Sequence, residues 1–224
     1  MSGFEKQGYE LIHNAISEET AKLLSIQFNM HRDNVYLSNN VPLDIIGFNS
    51  DALVEKSFCW YSSYGFESLL KMMLCKVECV VGKSLYPTYT YARIYYNGAE
   101  MAPHIDRPFC EYSATMTIEV EEGKEPWEIW IRNLNGEASA ITIPVGSMVV
   151  YRGNILEHWR NTYTGNKQIQ VFLHYVDVNG QYANHKFDKR EMLGRPLKQR
   201  IDFNEYQRLS DGTEETTVIR GMEG

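Results

Sequence analysis

Hydrophobic residues in the first third of the chain recur at the spacing of a helix. In the segment 66–84, apolar side chains three or four positions apart form one stripe: Phe66, Leu69, Leu70, Met73, Val77 and Val80. Gly82 is placed to end this helix, because glycine readily adopts the left-handed conformation of a C-cap. A second helix is predicted over 17–31, with Ser17 as N-cap and acidic residues in its first turn. The stretch 32–58 is predicted to be irregular.

Further along the chain, the pattern changes to the alternation that is typical of extended strands. Tyrosine and threonine are enriched over 87–98, and every second residue there places Arg93 and Tyr95 on one face. Five more short strands are predicted, with turns between them, at 113–120, 126–133, 138–144, 147–153 and 168–178. Many short strands at close spacing favour a sandwich or barrel over alternating β-α units.

The predicted fold is mostly β with flanking helices, in the α+β class. Its core is a double-stranded β-helix, or jelly roll, over about 85–178, and the N-terminal helices pack on one of its sheets. A short strand at 8–14 is predicted to open the fold. Because the sequence contains no repeat and no Pro/Gly/Ser-rich linker, we predict one domain over 1–205. The polar segment 206–224 is predicted to be a flexible tail.

The composition and charge of the chain disfavour several classes of protein. Of the 224 residues, 43% are hydrophobic and 23% are charged, which is typical of a globular domain with a substantial core. The net charge of -7 disfavours a general nucleic-acid binder, whose surface would be rich in Lys and Arg. No secretory signal, no membrane-length apolar run and no Cys-x-x-Cys pair is present, so a cytoplasmic protein with reduced thiols is expected.

The segment "NGAEMAPHIDRPFCEYS" raises the question of a metal site. His104 and Asp106 are two residues apart, so at a strand end their side chains point the same way. Two imidazoles and one carboxylate on one face of an octahedron leave positions open for substrate and dioxygen at an iron(II) ion. His158, just after a predicted strand, offers the second imidazole. Alone, the triplet at 104–106 is equally compatible with a polar loop.

Taken together, these features resemble the iron(II)/2-oxoglutarate-dependent dioxygenases, and among them the prolyl-hydroxylase-like branch. The Tyr-x-x-Gly turn at 95–98, His104-x-Asp106, the following strand, and Gly146 opening a strand toward His158 occur in the family's order. Lys167 stands nine residues beyond His158 and begins an apolar strand. The resemblance extends over about 85–177, with an opening strand and helix before it.

The resemblance implies a ligand set and a cosubstrate. His104, Asp106 and His158 would hold iron(II), and Lys167 would pair with the distal carboxylate of 2-oxoglutarate. Tyr95 would add a hydroxyl to the cosubstrate, and Thr115 or Thr117 could do the same; simple packing remains open for Tyr95, and a solvated strand start for Lys167. Iron(II), 2-oxoglutarate and dioxygen are thus the implied cofactors, with ascorbate as a stimulant.

The sequence departs from the branch at one position and leaves three arginines open. Met101 stands where some relatives have a tyrosine that contacts the cosubstrate, and Arg93 could replace that contact or form a structural ion pair. Arg107 could recognise substrate or form a surface salt bridge. Arg160 would share the side of His158 if the chain is extended there, which makes it a candidate either to support the metal ligands or to contact the substrate. His174 is assigned to the strand face opposite Lys167 and is excluded as a ligand.

Three functions fit these residues. The first is hydroxylation of an unactivated carbon, in a prolyl residue or an amino-acid-like molecule, with release of succinate and carbon dioxide. The second is oxidative demethylation of nucleic acid at the same metal site, which the acidic net charge disfavours. The third is a non-catalytic, cupin-like jelly roll that binds a metal without a cosubstrate. The expected partner is a peptide, protein or small-molecule substrate, with nucleic acid and membrane disfavoured.

Overall fold

A computed structural model describes residues 3–37 and 53–194. The helices are α1 (Gly3–Gln7), α2 (Glu18–Leu37) and α3 (Tyr64–Val81), and a 3-10 segment spans Ala183–Lys189. The strands are β1 (Tyr9–Ile12), β2 (Ser57–Tyr61), β3 (Leu85–Tyr96), β4 (Met101–His104), β5 (Tyr112–Val120), β6 (Ile129–Arg132), β7 (Ala138–Ile141), β8 (Met148–Tyr151), β9 (His158–Arg160) and β10 (Lys167–Asp177).

The strands form two antiparallel sheets. The larger has six strands in the order β1-β8-β5-β10-β3-β2, and the smaller has four in the order β4-β9-β6-β7. Neighbours in space are mostly distant in sequence, as in a double-sheet jelly roll. The predicted jelly-roll fold is therefore confirmed. Its larger sheet also recruits β1 and β2, which precede the predicted core.

The helices pack on the outer face of the six-stranded sheet. Helix α3 begins at Ser63, whose hydroxyl accepts a hydrogen bond from the backbone N–H of Phe66 at 3.3 Å. It ends at Gly82, which has a φ of 72°. Its apolar stripe joins a core cluster with the outward residues of β5 and β10, such as Met116, Ile169 and Val171. Burial of these apolar faces holds helix and sheet together.

The opposite face of this sheet looks into the space between the two sheets and is unusually polar. It carries the fully buried side chains of Ser113, Thr115, Thr117, Gln168 and Gln170. Buried polar groups are costly unless they are hydrogen-bonded. Here the amide of Gln170 accepts from Thr115 at 3.2 Å and donates to Thr117 at 2.7 Å. The interior of the barrel thus provides a polar wall beside the candidate site.

Some predicted boundaries are wrong. The stretch 32–58 is not wholly irregular, since α2 continues to Leu37 and β2 begins at Ser57. Strands β4 and β9 are short and were not predicted as separate elements, although both carry candidate ligands. The tail predicted over 206–224 lies outside the described residues. Among the helices that the structure describes, none combines the length and hydropathy needed to span a membrane.

Candidate functional site

The three predicted metal ligands converge at one end of the barrel. His104 ends β4, His158 begins β9, and the two residues are directly paired between these strands. Asp106 follows β4, where its backbone N–H donates to the carbonyl of Gly153 at 2.8 Å. Nε2 of His104 and Nε2 of His158 lie 3.8 Å and 3.6 Å from Oδ1 of Asp106. One donor atom from each residue lies within 4.8 Å of the others.

Hydrogen bonds orient both imidazoles for metal binding. Nδ1 of His104 lies 2.9 Å from the carbonyl of Ala102, and Nδ1 of His158 lies 2.9 Å from the carbonyl of Leu156. A carbonyl accepts only, so each Nδ1 carries the hydrogen and each Nε2 keeps its lone pair. Adjacent corners of an octahedron with bonds of about 2.1 Å are about 3 Å apart. The observed separations need only a small contraction to reach this geometry.

The two carboxylate oxygens of Asp106 have different contacts. While Oδ1 faces the imidazoles, Oδ2 accepts from the hydroxyl of Ser113 at 3.1 Å and from Tyr151 at 3.5 Å. Burial acts to raise the pKa of Asp106, but interactions with the neighbouring imidazoles, chiefly that of His158, outweigh it and lower the pKa to about 2. Burial, with His158 nearby, also lowers the pKa of His104. An ionised carboxylate and a neutral imidazole are the forms that bind metal.

A second group of potential ligands lies behind Asp106. Cys110 and His174 approach the carboxylate, with one atom of each residue within 4.8 Å of the others. Burial raises the pKa of Cys110 to about 12, so its thiol stays protonated and is a poor ligand. Nδ1 of His174 lies 2.9 Å from the hydroxyl of Ser113. His174 is therefore linked to Asp106 through the hydroxyl of Ser113, which donates to the carboxylate.

The ligands open onto a cavity of about 530 Å³. Its walls are aromatic and cationic, with Tyr89, Tyr91, Arg93 and Phe172 on the six-stranded sheet. Ile105 lines the cavity and is 55% exposed, so it marks the mouth. This volume is in the range of small-molecule sites.

Lys167 is not among the residues that line this cavity. Its Nζ pairs with the carboxylate of Glu119 and lies 3.4 Å from Oδ1 of Asn29 on helix α2. Its side chain is therefore directed away from the cavity. The apolar side of β10, which includes Ile169, packs against the helices, and Lys167 shares that side. His174 lies on the face opposite Lys167, as predicted, and it is that face that lines the cavity.

The other predicted cosubstrate residues do lie inside the barrel. Arg93 lines the cavity, is 4% exposed, and extends over the rings of Tyr91 and Tyr95 at 5.3 Å and 5.6 Å. Tyr95 is fully buried farther along the same face of β3. Thr115 and Thr117 face inward and bond to Gln170, so their hydroxyls already have protein partners.

The two predicted substrate arginines have different environments. Arg107 is exposed at the mouth, where its guanidinium lies 4.7 Å from the ring centres of both Tyr89 and Phe109. Arg160 is fully buried on the same side of β9 as His158. Its guanidinium lies 5.0 Å from the ring centre of Trp127 and 5.9 Å from that of Tyr95. Arg160 is therefore an interior residue and not part of the mouth.

Comparison with known proteins agrees with this architecture. A prolyl-4-hydroxylase from Pseudomonas putida aligns over 78% of this chain and 95% of its own, with a TM-score of 0.60 and 11% identity. HygX from Streptomyces hygroscopicus, solved with nickel and 2-oxoglutarate bound, aligns over 79% and 85%, with a TM-score of 0.57 and 11% identity. A Trichoplax adhaerens prolyl hydroxylase, in complex with a hypoxia-inducible-factor peptide, aligns over 80% and 90%, with a TM-score of 0.56 and 14% identity.

The chain has the fold of the prolyl hydroxylases. No protein-family model matches the sequence, and no curated protein sequence matches it. At such low identities the likeness establishes the jelly-roll oxygenase fold alone. Function must be argued from the residues that this chain places on that fold.

Sequence reasoning missed three residues around Asp106, namely Ser113, Tyr151 and His174. Each lies on an inward strand face and contacts Asp106 or the residue that holds it. The available signal was polarity at alternate positions of strands whose other face is apolar. Ser113 with Thr115 and Thr117, and His174 with Gln168 and Gln170, show this pattern.

Proposed function

We propose that the protein is an iron(II)- and 2-oxoglutarate-dependent dioxygenase that hydroxylates an unactivated carbon. The observation that carries the proposal is the convergence of two Nε2 atoms and one carboxylate oxygen on one side of a cavity. His104, Asp106 and His158 supply these donors. Two imidazoles and one carboxylate, with other positions open, are typical of non-haem iron(II) oxygenases.

The chain's own residues meet the requirements of this chemistry. Iron(II) and 2-oxoglutarate, when bound, supply the activation of dioxygen, with the keto acid converted to succinate and carbon dioxide. Asp106 is ionised at neutral pH, and backbone carbonyls fix both imidazoles with Nε2 toward the metal. Tyr89, Tyr91 and Phe172 form aromatic walls that keep bulk water from the reacting centre.

We further propose that the substrate is a prolyl residue of a peptide or an amino-acid-like molecule. The mouth combines aromatic rings with the guanidinium of Arg107, which is stacked on Tyr89 and Phe109. Aromatic faces suit a small ring or an aliphatic side chain, and a guanidinium suits a carboxylate or a peptide carbonyl. Two of the structural neighbours are prolyl hydroxylases, one of them with a peptide bound.

The test is succinate formation from 2-oxoglutarate under air, with iron(II) and ascorbate. Uncoupled turnover of the keto acid requires no knowledge of the substrate. We expect succinate from the wild-type protein and none from His104→Ala or Asp106→Ala. His13→Ala is the matched control because His13 is exposed outside the cavity, and it should retain the wild-type rate.

Retention of succinate formation by His104→Ala would contradict the proposed metal site. Failure of the wild type to form succinate, together with failure to bind 2-oxoglutarate in the presence of metal, would favour the non-catalytic jelly roll. With turnover established, prolyl peptides and free amino acids can be screened by mass spectrometry for the gain of one oxygen atom.

A further inference from the structure

The guanidinium of Arg160 has hydrogen-bonding groups that the protein does not satisfy. The residue is fully buried, and its Nη1 donates to the carbonyl of Trp127. Its Nε and Nη2 are buried without a hydrogen-bond partner among the described residues. An unpaired charge in a protein interior is strongly unfavourable, and a guanidinium stays protonated even when buried. The charge of Glu128 acts on the guanidinium through space, but no described carboxylate is hydrogen-bonded to it. Its Nε and Nη2 are therefore available to hydrogen-bond an anionic ligand.

Arg160 lies on the same buried face of β9 as the predicted metal ligand His158. It is two residues beyond His158 on β9, and both side chains point into the barrel while Trp159 between them stacks on Trp130 outside. Two residues of a strand span about 6.6 Å. A five-carbon dicarboxylate held at the metal by one end would reach the guanidinium with the other.

Residues around Arg160 connect it to the cavity. Met101 is paired with Arg160 between β4 and β9, and it lines the cavity. Tyr151 also lines the cavity, donates to Asp106, and lies close enough to Arg160 to interact with its charge. Arg160 itself is completely shielded from solvent, whereas Ile105 at the mouth is exposed. An anion there would therefore belong to a ligand anchored at the metal.

The residue predicted for this role cannot reach the same place. Lys167 pairs with Glu119 on the helix side of β10. The next residue, Gln168, does face the interior, but its side-chain carbonyl accepts from the backbone N–H of Trp127 at 2.8 Å. A neutral amide that is already hydrogen-bonded does not compensate a carboxylate charge.

We propose that Arg160 binds the distal carboxylate of 2-oxoglutarate, in place of Lys167. This inference rests on the proposed function. A guanidinium can bind a carboxylate through two parallel hydrogen bonds, which fits its two free N–H groups. Tyr95 and Trp127 flank the guanidinium and would exclude water from the pair. The cation would thus come from the strand that carries the distal histidine, whereas the prediction took it from β10.

The experiment compares two keto acids that differ only in the distal carboxylate. Calorimetry on nickel(II)-loaded protein would measure the affinities for 2-oxoglutarate and for 2-oxopentanoate, which lacks that group. We expect the wild type to prefer 2-oxoglutarate by roughly 30-fold or more, and Arg160→Gln to lose this preference. Lys167→Ala is the matched control, because it removes a cation from the side of β10 that faces the helices. This variant should keep the preference for 2-oxoglutarate.

A second readout separates ligand binding from a structural role. Removing an unpaired buried charge should leave the Tm of the ligand-free protein unchanged or raise it. The rise in Tm caused by 2-oxoglutarate with nickel should disappear in Arg160→Gln. Arg160→Lys, which keeps the charge but not the forked geometry, should retain part of the preference.

The outcomes distinguish this inference from the function on which it rests. If Arg160→Gln keeps the preference for 2-oxoglutarate and Lys167→Ala loses it, the assignment to Arg160 is overturned and the dioxygenase proposal stands. If the nickel-loaded wild type binds neither keto acid, the proposed function itself fails. Loss of the preference in Arg160→Gln alone, with nickel binding intact, supports the assignment.

Discussion

The hydroxyl of Ser113 donates to Oδ2 of Asp106 at 3.1 Å, which leaves Oδ1 facing the two imidazoles. Nδ1 of His174 lies 2.9 Å from the same hydroxyl oxygen. If Nδ1 of His174 carries the hydrogen, a directed chain runs from His174 through Ser113 to Asp106. The carboxylate proposed to bind the metal is thus oriented by side chains of the central strands of the larger sheet.

Ser113→Ala is expected to weaken metal binding without unfolding the protein. Loss of such an outer hydrogen bond typically costs 10- to 100-fold in metal affinity. Titration with nickel(II) followed by calorimetry would measure the change. Thr115→Ala, on the same inward face two residues along, is the control and should retain metal affinity. Equal affinities for wild type and Ser113→Ala would show that Asp106 needs no support from this hydroxyl.

Gly153→Ala should also disturb the site. A Cβ atom added at Gly153 would lie within 3.0 Å of Oδ2 of Asp106, Oγ of Ser113 and the carbonyl of Cys110. The carboxylate must then move, so we expect metal affinity to fall about tenfold or more. Gly82→Ala is the control, because it places alanine at a φ of 72° in open space, and it should cost about 1 kcal/mol with metal affinity unchanged.

The Lys167–Glu119 pair predicts a pH-dependent contribution to stability. Burial acts to raise the pKa of Glu119, but the hydrogen bonds from Lys167 and Ser25 outweigh it and lower the pKa. A carboxyl with a lowered pKa stabilises the fold above its ordinary value of 4.5, and this stabilisation is lost as the pH falls through its folded pKa. Both side chains are more than a quarter exposed, so screening limits the effect to about 1 kcal/mol.

Urea unfolding at about pH 7 and about pH 3.5 would test this contribution. Glu119→Gln should be less stable than wild type at the higher pH and similar to it at the lower pH. Lys167→Ala should show the same trend, with 2-oxoglutarate affinity unchanged. A pH-independent difference between wild type and Glu119→Gln would contradict the ion-pair explanation.

A buried ion pair attaches the segment after β10 to helix α3. Arg190 pairs with Glu67, and both side chains are 2% exposed. Removing one partner leaves a buried charge, so Glu67→Ala should lower the free energy of unfolding by about 3 to 5 kcal/mol. Lys83 and Asp177 form the contrasting pair, in which Lys83 is 48% exposed. Lys83→Ala should cost less than about 1 kcal/mol in the same denaturation experiment.

Sequence alone predicted the fold class, which the structure confirms, and three candidate metal ligands, which the structure brings together. Alternation predicted the strands, and the resemblance to the dioxygenase family, carried by the His-x-Asp spacing and a distant histidine, implied the ligands. The role of Lys167 depended instead on which side of β10 faces the barrel. The resemblance implied that Lys167, at the start of an apolar strand, faces the cosubstrate, whereas the apolar side of β10 packs on the helices and the polar side faces the interior.

The short strands β4 and β9 could not be recognised from sequence for a related reason. Each has only three or four residues, which is too few to show the alternation of polar and apolar residues. Each is defined instead by its pairing with a strand that is distant in sequence. The burial of Arg160 follows from that pairing and from Trp127, which is distant in sequence. Composition gave no indication that a charged residue would be completely enclosed.

The two faces of β10 have different surroundings, and this should determine the effect of substitutions along the strand. From Lys167 to Leu173, odd-numbered positions face the helices, and even-numbered positions from Gln168 to His174 face the barrel interior. A saturation-mutagenesis scan of this strand should therefore give two interleaved phenotypes with a period of two. Odd-numbered substitutions should reduce the yield of folded protein, whereas conservative even-numbered substitutions should yield folded protein with altered ligand affinity. The same alternation should determine which natural substitutions β10 tolerates at each position.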